Sequence, residues 1–86
     1  MKSKDIILRI VMSEKASRIM EEENALTFIV LRQANKHEIK NAIEKLYGIK
    51  VESIRTMITP KGEKKAIAKL SKEYKAIDVA TKFGLM

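Results

Sequence analysis

The sequence predicts an α+β domain: a three-stranded mixed sheet, with one parallel pair and one antiparallel hairpin, and helices packed on one face. Two observations carry that prediction. A β-rich run at 25–32 is followed by a capped amphipathic helix at 36–47 and a second β-rich run at 51–59. A strand–helix–strand step of this kind makes a parallel pair with a right-handed crossover. Pro60 and Gly62 then reverse the chain into an alternating segment, 65–70, which returns antiparallel as the third strand.

Each element has its own signal. Ser13 is a good N-cap, and Ala16, Ile19 and Met20 follow at helical spacing, which gives a helix near 13–23. Asn24 suits the left-handed stop. Glu21, Glu22 and Glu23 crowd the C-terminal end of that helix, where the dipole disfavours negative charge. They mark either a solvated end or a face turned away from RNA or towards a basic neighbour. In the run that follows, Leu26, Phe28 and Val30 share one face and Thr27, Ile29 and Leu31 the other. Apolar residues on both faces make it a central strand.

The clearest element comes next. Asn35 and Glu38 have capping-box spacing, and Ile39, Ala42, Ile43, Leu46 and Tyr47 fall on one stripe before Gly48. Val51 to Thr59 reads as a strand, with Ile54, Thr56 and Ile58 on one face and Arg55 and Met57 on the other. In the third strand Ala66, Ala68 and Leu70 point to the core, while Lys65, Ile67 and Lys69 point away. A last helix, about 72–83, carries Ala76, Val79, Ala80 and Phe83 on one stripe and closes at Gly84. With helices on one face only, Arg55, Lys65 and Lys69 would project from an uncovered face. No repeat, linker or low-complexity segment divides the 86 residues, so residues 1–86 are expected to be one domain.

Composition narrows the function. The chain has 18 Lys and Arg against 11 Asp and Glu, net +7, which implies an anionic partner. Residues 1–33 carry net +1 and residues 34–86 net +6, so the footprint lies mostly in the second part. Absence of cysteine excludes disulfides and thiolate metal sites. The apolar stretch Ile6-Ile7-Leu8 is too short for the core of a signal peptide, and no run is long enough to span a bilayer. A soluble cytoplasmic protein is expected.

Catalytic constellations are missing. The single histidine, His37, has no second histidine or cysteine to chelate with, and Gly48, Gly62 and Gly84 form no phosphate-binding fingerprint. Neither catalytic residues, metal nor cofactor is expected. Nucleic-acid binding fits better. Lys36 and His37 open the strong helix, where free N–H groups favour phosphate. Lys61, Lys64 and Lys65 sit at the hairpin tip, and Arg55 extends the patch along its strand. Aromatic residues are few and Phe28 faces the core, which disfavours stacking on single-stranded bases and favours backbone contact with folded, A-form-rich RNA.

Four segments, read in order, carry a resemblance: "RIVMSEK" (9–15), "NALTFIVLRQANKHEIKNAIEKLYGIKV" (24–51), "ITPKGEKKAIAKL" (58–70) and "AIDVATKFG" (76–84). Together they closely resemble the large-subunit ribosomal protein twenty-three family in its short archaeal-type form. The family pattern usually reads Arg-Pro-x-x-Thr/Ser-Glu-Lys near the N-terminus; here Ile10 stands at the proline position. Bacterial members carry a long hairpin arm into the exit tunnel, whereas the connection here, about Pro60 to Glu63, reads as an anchor on RNA. The resemblance implies binding to large-subunit ribosomal RNA near the polypeptide exit tunnel, beside ribosomal protein twenty-nine. It also implies a share in the docking platform for the signal recognition particle and the translocon. Carried over residue by residue, it implies RNA contacts at Arg9, Ser13 and Lys15, at Asn35, Lys36 and His37, and at Lys61, Gly62, Lys64 and Lys65. The expected protein is a monomer off the ribosome. Two other readings remain open at this point. One is a free-standing regulatory RNA-binding domain on a similar sheet. The other is a small acyl-phosphate hydrolase of ferredoxin-like architecture, to which the predicted fold is related, although no glycine-rich cradle follows the first strand.

Overall fold

The computed structural model describes residues 3–83. Its elements run α1 (Ser3–Ile6), β1 (Ile7–Ile10), α2 (Glu14–Glu23), β2 (Ala25–Val30), α3 (Lys36–Tyr47), β3 (Val51–Ile58), β4 (Lys64–Leu70) and α4 (Ala76–Lys82). The α+β class is as expected, but the sheet is not. It has four strands in the order β1-β2-β4-β3, and every neighbouring pair is antiparallel. The expected three-stranded mixed sheet with a parallel pair is therefore corrected.

The cause lies in where the hairpin goes. β2 and β3 do point the same way, but β4 lies between them, so the strand–helix–strand unit is split and its two strands never touch. β4 can take the central place because Ala66, Ile67 and Ala68 are all buried, one face after the other. The crossover rule constrains handedness and says nothing about a gap that a later strand fills.

The second correction is β1, which the sequence reading treated as a brief apolar stretch. It pairs with β2 through Ile7–Val30, Arg9–Ile29 and Ile10–Phe28, with an irregularity between Ile7 and Arg9. That bulge breaks the period of two: after buried Ile7, both Leu8 (55% exposed) and Arg9 are exposed in succession. No clean alternation was there to be read.

α2 and α3 formed where their caps said. Ser13 Oγ accepts from Ala16 N (3.1 Å) at the start of α2. At α3, Asn35 Oδ1 accepts from Glu38 N (2.8 Å), and the Glu38 carboxylate accepts from Asn35 N (3.0 Å). Gly48 at φ 63° ends α3. α4 starts at Ala76, later than the expected 72, because Tyr74 N–H closes a turn on Ser71 O and the helix is capped from elsewhere. The cap comes from Asn24, whose Oδ1 accepts from Ala76 N (2.7 Å) while its Nδ2 donates to Tyr74 O (2.8 Å). Asn24 thus ends α2 at φ 55° and starts α4. The expected stop at Gly84 lies outside the described residues.

One core joins Leu26, Phe28 and Val30 of β2, Ala66, Ala68 and Leu70 of β4, and Val51 and Ile54 of β3. Ile39, Ala42 and Ile43 of α3 and Ala76, Val79 and Ala80 of α4 complete it. Tyr47 stands tilted beside Phe28 and edge-on to Phe83, with ring centroids 5.8 Å and 4.9 Å apart. Burial there pushes the Tyr47 hydroxyl pKa up.

The second face of the sheet is not bare, contrary to the expectation of helices on one face. Ala16 and Ile19 of α2 line a small cleft there with Thr27, Met57, Lys65 and Ile67, and Glu23 meets Arg55 across it. Thr27 and Ile67 are buried as a result, and the Thr27 hydroxyl has no hydrogen-bond partner among the described residues.

Asn24 gives a stability test. Asn24→Ala loses both side-chain bonds and the left-handed tolerance, and should lower unfolding free energy by about 2 kcal/mol or more. Asn24→Gly keeps the backbone geometry and should lose less. Urea midpoints equal to wild type for both variants would contradict this role.

Candidate nucleic-acid interface

The hairpin between β3 and β4 is the place where the basic motifs meet. Its loop is three residues, Pro60-Lys61-Gly62, closed by Thr59 N–H donating to Glu63 O (2.8 Å). Gly62 N–H donates to Thr59 O (2.9 Å), and Gly62 sits at φ 86°. A reverse turn followed by a glycine in the left-handed region is a standard three-residue hairpin connection. Glu63 N–H also donates to Thr59 Oγ1 (3.2 Å), so both ends of the loop are tied.

From this tip, contacts reach three other segments. The first is to β1: Arg9 Nη1 donates to Glu63 Oε2 (2.9 Å) and Nη2 to Oε1 (3.4 Å), a fork-to-fork pair between residues 54 positions apart. The second is to the loop before α3, where the Lys64 ammonium donates to Ala34 O. Arg32 approaches the same turn, its Nη1 4.0 Å from where a Cβ on Gly62 would lie. The third is to α2, where Lys65 lines one cleft with Ser13 and Lys15.

The sheet's register explains the split between neighbouring lysines. Arg9 lies opposite Ile29, Ile29 opposite Lys65 and Lys65 opposite Met57. Opposed residues share a face, so Arg9, Ile29, Lys65 and Met57 form one row across the second face. Ile29 is only 3% exposed there, flanked in the row by Arg9 and Lys65, with which it lines one cleft. Lys64 lies opposite Val30 and Ile58 on the core side, and its ammonium is turned to the α3 loop. Three lysines that look equivalent in sequence therefore do different things.

Of the sequence-derived residues, Lys61 is exposed at the tip, and Lys15, Lys36 and His37 are exposed in first turns. Among the described residues no ion pair engages any of these four or Lys65. Asn41 Nδ2 donates to His37 Nε2 (3.2 Å). Ser13 and Asn35 already spend their side-chain oxygens as helix caps, so their use to a ligand is chiefly to fix the backbone. Arg55 does not join the cluster: its Nη2 lies 2.7 Å from Glu23 Oε1. That contact also answers the question posed by the acidic run, one member of which faces a basic neighbour. Arg32 was missed by the sequence reading. The signal for it was its place at the end of β2, just before the loop that meets the hairpin.

Glu63 is held below the ordinary carboxylate range, first by the hydrogen bond from Arg9 and then by the charges of Arg9 and Lys61, against some desolvation. The same pair raises the Arg9 pKa, so Arg9 stays charged throughout. Among the described residues no group of three or more His, Cys, Asp or Glu could hold a metal ion, and no helix is long and apolar enough to cross a membrane.

These features define a class: a small basic α+β domain that gathers cations around one hairpin tip. Comparison with known proteins gives the family. The ribosomal protein L23 family profile matches residues 5–81. The large ribosomal subunit protein uL23 of Pyrobaculum aerophilum is 51% identical over 81 residues, covering 94% of this chain and all of the relative. That of Caldivirga maquilingensis is 49% identical over 86 residues, the whole of both chains. The chain belongs to the ribosomal protein L23 family. As a ribosomal protein it is a structural constituent and not an enzyme, and its place is the cytoplasmic ribosome.

Glu63 supplies a pH prediction. A depressed folded-state pKa means that the ion pair is present above the ordinary value of 4.5 and is lost as pH falls through the lower folded value. Side-chain carboxyl NMR should give a Glu63 midpoint below 4.5 that rises in Arg9→Ala. An identical midpoint in both proteins would refute the pairing.

Proposed function

We propose that this chain is a structural constituent of the large ribosomal subunit that binds large-subunit ribosomal RNA through the surface around the β3–β4 hairpin. One observation carries the reading. Arg9, Lys61 and Lys65 line one cleft at the tip, Arg32 approaches the same turn, and Lys64 ties the turn to Ala34 in the loop that leads into Lys36 and His37, so basic residues from separate stretches of sequence are brought to one end of the sheet. Cations gathered in this way neutralise phosphates along a folded backbone. Lysine acts as a compact point charge, and the N-terminal N–H groups of α3 add to it. The relatives named above are large ribosomal subunit proteins, which supports large-subunit RNA as the partner.

Family resemblance supports the finer placement. In this reading the chain lies near the mouth of the polypeptide exit tunnel, beside ribosomal protein twenty-nine, in the platform that receives the signal recognition particle and the translocon. A three-residue hairpin loop is too short for an arm into the tunnel, so the tip serves as an RNA anchor.

Salt dependence separates the lysines. Lys61→Ala and Lys65→Ala should each reduce the slope of log affinity against log salt by roughly 0.7–0.9 on large-subunit RNA. Lys64→Ala should lower stability through its lost bond to the Ala34 carbonyl, with a smaller change in slope. Slopes unchanged in both Lys61→Ala and Lys65→Ala would sink the assignment of the tip. Failure of the protein to co-sediment with the large subunit at moderate salt would favour a free-standing RNA binder.

A further inference from the structure

We propose that Glu63 is a positioning residue for RNA binding, holding the Arg9 guanidinium in a fixed orientation over the second face of the sheet; this rests on the RNA-binding reading above. A carboxylate at this point needs explaining. It lies among Arg9, Lys61, Lys64 and Lys65, where simple charge counting says it should repel phosphate. An exposed ion pair contributes little to folding, so stability alone does not account for it.

Geometry offers a better account. The turn fixes Glu63 at its backbone through both Thr59 contacts. From there both carboxylate oxygens receive the two terminal nitrogens of Arg9, the fork arrangement that sets a guanidinium's plane as well as its place. A guanidinium has five N–H donors, and this pair uses one from each terminal nitrogen, which leaves three for a ligand. The Arg9 side chain is otherwise more than half exposed on an edge strand, where it would sample many rotamers. Ordering it before RNA arrives removes a cost that binding would otherwise carry. The acid thus trades some general attraction for polyanions against a preset donor array for one folded RNA.

Charge counting and positioning predict opposite signs, which makes the test direct. Wild type, Glu63→Gln, Glu63→Asp, Arg9→Ala and the Arg9→Ala/Glu63→Gln double variant are titrated with two probes. One is large-subunit ribosomal RNA transcribed in vitro; the other is an RNA duplex of unrelated sequence. Positioning predicts that Glu63→Gln binds the duplex more tightly than wild type but the ribosomal RNA about three- to tenfold more weakly. Glu63→Asp, which keeps the charge and shortens the reach, should also weaken the ribosomal RNA complex. On the Arg9→Ala background, Glu63→Gln should no longer weaken it. NMR relaxation of the Arg9 Nε–H in the free protein should show restriction that Glu63→Gln releases. Equal tightening of both RNAs by Glu63→Gln, or an Arg9 side chain as mobile in wild type as in Glu63→Gln, overturns the inference and leaves the RNA-binding reading standing. A wild-type protein that does not prefer ribosomal RNA to the duplex overturns both.

Discussion

The structure depends on β4 lying between β2 and β3. That placement needs a strand able to be buried on both faces, and β4 supplies it with Ala66 and Ala68 towards the helices and Ile67 towards α2. Small residues on the helix side let α3 and the sheet share one close-packed core with Ile39, Ala42 and Ile43. Once β4 is central, its hairpin tip is also central, at the end of the sheet where the loop into α3 emerges. The gathering of basic residues is therefore a by-product of topology before it is a property of charge.

Register carries the consequence from fold to surface. Because successive residues of β4 alternate faces, Lys64 is committed to the carbonyl of Ala34 while Lys65 joins Arg9 in flanking Ile29. A slip of one residue would exchange them and put Ile67 in the helix-side core and Ala66 on the second face. The tight loop with Gly62 at positive φ holds that register and also delivers Glu63 to Arg9. Fold stability and the shape of the cationic surface thus rest on the same turn.

Much of this was legible in the residues. Caps gave α2 and α3 their bounds, since Ser13, Asn35, Glu38, Asn24 and Gly48 act locally and within a few positions. The hairpin was legible from Pro60 and Gly62 for the same reason. Three features were hidden because their causes are distant. Insertion of β4 depends on which strand edge a later segment finds, β1 is disguised by a bulge, and the start of α4 is set by Asn24, some 50 positions earlier. For the candidate site, the sequence names Lys61, Lys65, Lys36 and His37 but not Arg32. It also could not foresee that Arg55 would be taken by Glu23, or that Lys64 would turn inward.

The central claim is that separate basic segments form one RNA surface around the hairpin tip. Amine acetylation followed by mass spectrometry, on the free protein and on the protein within isolated large subunits, tests it most directly. The account predicts that Lys15, Lys36, Lys61 and Lys65 become protected together, while Lys72, Lys75 and Lys82, around and within α4, stay reactive unless another subunit protein covers them; removing the RNA with nuclease should restore reactivity at the first four. Protection confined to the α4 lysines, or protection at the tip that survives nuclease, would contradict it.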